Sequence, residues 1–107
     1  MKKTMGIVLA LGALLVTGAG VAQADITTSV DAGSRVRAWA GFGDNVLATV
    51  HRQTGMTVEC YQHGADYNDG HTHTDVWYYG DVWGPRGFVW GGNVNTQQDP
   101  PPGLREC

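Results

Sequence analysis

The sequence predicts an all-β fold, a small five-stranded barrel closed by one disulfide, and three observations carry that expectation. No window after residue 25 places apolar residues at helical spacing, and twelve glycines interrupt that part of the chain. Short runs rich in Val, Thr, Trp and Tyr recur between turn residues, which is the pattern of strands. Two cysteines, Cys60 and Cys107, fall in the same region.

The runs follow one another closely. "SRVRAW" is the first and "NVLATV" the second, followed by the polar turn "HRQTG". "MTVECYQH" is the third, with Met56, Val58 and Cys60 alternating against Thr57, Glu59 and Tyr61. "DVWYYG" is the fourth, and "GFVWGGNV" the fifth after the turn "WGPRG". Five short strands with little room for a helix predict a small barrel. Between the third and fourth lies "ADYNDGHTHT", read as a long polar hairpin connection with its turn at Asn68-Asp69-Gly70.

Residues 1–24 are set apart as a signal peptide. Lys2 and Lys3 form a positive start, Ile7 to Val16 an apolar run, and Ala22-Gln23-Ala24 a small-residue cleavage site. The expected mature domain is 25–107, secreted and either extracellular or associated with the cell wall, with no membrane attachment after cleavage. Losing Lys2 and Lys3 takes the formal charge from −3 to −5 and leaves five arginines and no lysine. Nucleic-acid binding needs a positive patch, so that class is excluded. In an oxidising compartment an even cysteine count predicts a Cys60–Cys107 bond. That bond would tether the extended tail "TQQDPPPGLREC".

"VRAWAGFGDNVLATVHRQTGMTVEC" resembles the start of bacterial SH3-like domains of the small exported type found in actinobacteria. Their pattern runs V-R-S-G-P-G, a short loop, V-I-G-T-V, a turn with Gly, then V-x-V. Val36, Arg37 and Gly41 match its first part, Val46, Leu47, Thr49 and Val50 its second, and Gly55 and Val58 the turn and next strand. Trp77 and Tyr78 resemble the W-Y-x-V strand, and Gly87, Phe88 and Val89 the closing G-[WY]-V segment. A cysteine in the third strand with another at the chain end also occurs among exported members. The likeness spans about Ser34 to Cys107; it departs at Trp39 and Ala40, where the pattern has Gly and Pro, and at the long connection from Gly64 to Thr74. The resemblance implies an SH3-like barrel with Trp77 and Phe88 in its core.

All ten aromatic residues lie after residue 25, more than so small a barrel can bury. Trp39, Phe42, Tyr79, Trp83 and Trp90 have no core assignment, and SH3 folds bind extended ligands in aromatic-lined grooves beside the first long loop. These five are the candidate ligand-binding residues; surface crowding is the plainer explanation for them. The expected function is a non-enzymatic, monomeric binding module. Its partner would be cell-wall peptidoglycan, or an extracellular peptide or protein. In the resembled family such modules often target a neighbouring catalytic domain, and none is expected in this chain.

No catalytic residue and no cofactor is expected. Ser29 and Ser34 are the only serines after residue 25, no nucleophile elbow surrounds them, and both cysteines are assigned to the disulfide. The competing class is an extracellular metal-binding protein. His71, His73 and Asp75 alternate and would share one strand face, with His63 on the strand opposite, a pattern able to hold a divalent metal. The same alternation arises wherever a strand leaves a polar turn, so a solvated hairpin is the expected outcome.

Overall fold

The computed structural model describes residues 24–107; the expected signal peptide lies outside the described residues except for Ala24. Six antiparallel strands form one sheet: β1 Ile26–Val30, β2 Arg35–Arg37, β3 Val46–Thr49, β4 Thr54–Asn68, β5 His73–Asp81 and β6 Arg86–Trp90. Their order is β1-β4-β5-β6-β2-β3, curled into a half-barrel, so the all-β, disulfide-closed expectation holds with one strand more than the five expected. The extra strand is β1, "ITTSV", which is too short and polar to stand out alone. It exists through its pairing with β4, from Ile26 opposite Val58 to Val30 opposite Thr54.

The fifteen-residue β4 organises the sheet. It continues to Asn68 through what composition marks as connection, pairing Tyr67 with Thr74 and Asn68 with His73 on β5. Two register shifts break its ladder, between Val58 and Cys60 and between His63 and Tyr67. Such bulges bend a strand and change which side chains face in. Met56 and Val58 are buried in the main core, and after the first bulge Tyr61 packs against it, opposite Tyr78. Cys60 sits opposite Tyr79 on the other face. Uninterrupted alternation of Met56, Val58 and Cys60 on one side is therefore corrected at its last member.

The sheet consequently has two packed layers. On the inner face Val30, Val36, Val58, Val76, Tyr78, Val82 and Val89 form the main core. On the outer face of β5 and β6, Trp77 lies opposite Trp90 and Tyr79 opposite Phe88. Trp77 is fully buried, as a core residue should be, but in this outer layer; Phe88 is only half-buried.

After β6 a single 3-10 turn, Gly91–Asn93, leads into a tail fixed at several points. Val94 bridges Val30, and Leu104 enters the main core. Tyr78 donates its hydroxyl proton to Asp99. Glu106 pairs in parallel with Tyr61, and the Cys107 N–H donates to Tyr61 O at 2.8 Å. Cys60 and Cys107 are bonded, with Cα atoms 4.9 Å apart.

Candidate functional site

The loop 38–45, between β2 and β3, is pinned from beneath by two buried polar side chains, Arg37 and Asn45. Arg37 Nη1–H donates to Asn45 Oδ1 at 2.8 Å and Gly43 O at 3.2 Å. Asn45 Nδ2–H in turn donates to Gly41 O at 2.9 Å and Trp39 O at 3.3 Å. The loop also lies directly on the outer half of β4. Ala65 N–H donates to Ala40 O at 3.0 Å, and a Cβ at Gly64 would sit 2.2 Å from that same oxygen. Only glycine permits so close an approach.

This anchoring sets Phe42 over the outer aromatic layer. Its ring lies 5.1 Å from Trp77, edge-on, and 5.2 Å from Tyr67, which meets Trp90 at 5.1 Å. The Arg37 guanidinium stands 5.1 Å from the Phe42 centroid, within cation–π range. Both buried indoles are satisfied: Trp77 Nε1–H donates to Ala65 O at 2.9 Å, and Trp90 Nε1–H to Thr74 O at 3.0 Å. Beside these rings opens a cleft of about 340 Å³ lined by Arg35, Arg37, Phe42, Tyr67, Asp69 and Trp90, within the range of small-ligand pockets.

The five aromatics expected to form a ligand face are divided by the structure. Phe42 and Trp90 do line one cleft, though Trp90 is 5 % exposed and belongs to the wall rather than the surface. Trp39 stands in the same loop, 53 % exposed. Tyr79 lies elsewhere on the outer face, half-buried against Phe88 at 5.0 Å and under Arg86, which is ion-paired with Glu59. Trp83 projects from the β5–β6 turn, 83 % exposed, beyond the Asp81 end of β5. It borders a separate cavity of about 700 Å³ with Val50, Thr54 and Gly55. Tyr79 and Trp83 therefore do not join Trp39 and Phe42.

Sequence reasoning missed Tyr67, Arg35 and Arg37. The arginines carried a usable signal: a spacing of two on a strand puts both on one face while Val36 enters the core.

The histidine row does not assemble. His63 Nδ1–H donates to Asp75 Oδ1 at 2.9 Å, and His73 Nε2–H donates to Asp66 Oδ2 at 2.7 Å. The second bulge in β4 separates the two pairs. His71 contributes its backbone N–H to Asp69 Oδ1 at 2.8 Å. Among the described residues no three His, Cys, Asp or Glu side chains are placed to hold one metal ion. The turn forms where expected, with Gly70 at φ +94° and its N–H donating to Asn68 Oδ1 at 2.9 Å.

The hydrogen bond to Asp75, and then that carboxylate's charge, raise the His63 pKa above the ordinary imidazole value of about 6.5. A raised folded-state pKa contributes stability that is complete below the unfolded value and lost as pH rises through the folded one. Because the pair is solvent-exposed, the effect on stability is small and the titration itself is the observable. In an NMR pH titration the His63 ring should titrate above the ordinary imidazole value, and Asp75→Asn, which removes the two largest causes, should lower its midpoint. An unshifted wild-type midpoint would contradict the pair.

No family model matches this chain, and no curated protein or solved structure matches it. The likeness to bacterial SH3-like domains rests on the short motifs given above.

Proposed function

We propose that the protein is an exported, non-enzymatic binding module of SH3-like type that recognises peptidoglycan or an extracellular peptide through the face around loop 38–45. One observation carries this reading. Phe42 and Tyr67 are 44 % and 47 % exposed although the aromatic layer beneath them is complete. Large rings held rigidly at a surface, with their support already packed, are the usual anchors of recognition. The disulfide suits an oxidising compartment outside the cell, and no described helix is long and apolar enough to cross a membrane.

The test is co-sedimentation of the oxidised protein with purified peptidoglycan, with and without EDTA. Binding indifferent to EDTA is expected, with a loss of about 2 kcal/mol in Phe42→Ala, the cost of truncating a central anchor. Absence of sedimentation with walls and with every peptide tried would contradict the module reading. Binding abolished by EDTA would favour a metal-dependent mode instead.

A further inference from the structure

We infer that the cleft beside Phe42 takes a short peptide with free ends, its terminal carboxylate held by Arg35 and Arg37 and its amino group directed toward Asp69. The inference rests on the binding-module reading and names a ligand class for the same face.

Arg37 is the first reason. It is 8 % exposed and lines the cleft, yet its hydrogen-bond acceptors are the neutral Gly43 O and Asn45 Oδ1. Among the described residues no carboxylate pairs with it. A guanidinium buried without a counter-charge is costly unless something else supplies one. Burial, and next the like charge of Arg35, hold its pKa below the ordinary arginine value. Arg35 lies on the same strand face, so it adds to the positive charge rather than relieving it. Two of the five arginines thus converge on one cleft in a chain of net negative charge.

The second reason is Asp69. It lines the same cleft but is ion-paired with neither arginine. Its carboxylate accepts the Thr72 and His71 N–H groups, which hold its pKa below the usual range and keep it charged. Its role in the turn engages Oδ1. Apart from the Tyr67 phenol, no further titratable group among the described residues lines the cleft. A cationic wall and an anionic one, with aromatic rings between, complement a ligand carrying both charges. Ring geometry argues in the same direction. Phe42 and Tyr67 meet at 59° and Tyr67 and Trp90 at 81°, which makes an angular wall for small apolar side chains rather than a flat platform for a sugar.

The experiment is an NMR titration of the isotope-labelled, disulfide-bonded protein with trialanine. Parallel titrations use its C-terminal amide, its N-acetyl form, and glucuronic acid. Trialanine should shift the arginine Nε–H signals of Arg35 and Arg37 and the Trp90 indole signal. Amidation should weaken binding by about tenfold or more, the cost of losing a charge-assisted hydrogen bond, and acetylation should weaken it less. Arg37→Gln could loosen the loop, so the variant to compare is Arg35→Gln, an exposed change. It should reproduce the amidation loss with an unaltered spectrum elsewhere. Equal affinity for trialanine and its amide, tighter binding of glucuronic acid, or no shift at these residues at millimolar peptide would overturn the inference. If wall binding persists in any of those cases, the module reading survives and only the cleft assignment fails.

Discussion

Trp77→Ala should destabilise the protein by about 3–5 kcal/mol, a large part of the total stability of a small domain. Trp77 is fully buried between the sheet and loop 38–45, with Phe42 resting on its ring and Ala65 O accepting its indole proton. Truncation would open a cavity, strip the support from Phe42 and remove the donor to a carbonyl at the close contact of β4 with the loop. Trp77→Phe keeps an aromatic ring and forfeits the hydrogen bond, so it should cost less. Urea denaturation of both variants checks the order. A loss below about 1 kcal/mol for Trp77→Ala would mean that the outer layer is not a packed core.

Removing the Cys60–Cys107 bond should cost about 4 kcal/mol in the chain-entropy view, since the bond closes a loop spanning 47 positions. The double variant Cys60→Ala/Cys107→Ala should therefore unfold at markedly lower urea. Hydrogen exchange should accelerate most at the Tyr61 and Cys107 amides, which join β4 to the tail. The amides between β5 and β6 should change less than these. A denaturation midpoint equal to that of the wild type would show that Leu104 and the Asp99–Tyr78 hydrogen bond fix the tail without the disulfide.

The strands carrying the outer layer were legible because their chemistry is local. In "DVWYYG" and "GFVW" each valine is followed by an aromatic, so a period of two sends Val76 and Val89 inward and Trp77 and Trp90 outward. β1 was not legible, because "ITTSV" becomes a strand only through a partner 24 to 32 positions further along the chain, a pairing that sets Ile26 opposite Val58 and Val30 opposite Thr54 and that no local pattern reveals. The two bulges in β4 were hidden for the same reason. They decide that Cys60 leaves the inner face and that His63 and His73 find different carboxylates. The site was half visible: the aromatic loop stood out by composition, whereas Tyr67 joined it only because β4 runs on through an apparent connection to Asn68.

The most direct measurement of the proposed ligand face is an amide and indole NMR footprint of the protein with soluble peptidoglycan fragments. The expected shifts cluster at Trp39, Phe42 and Tyr67 and extend to the Trp90 indole, leaving Tyr79 and Trp83 unmoved. A footprint centred on Trp83 and its neighbouring cavity, with loop 38–45 silent, would contradict it.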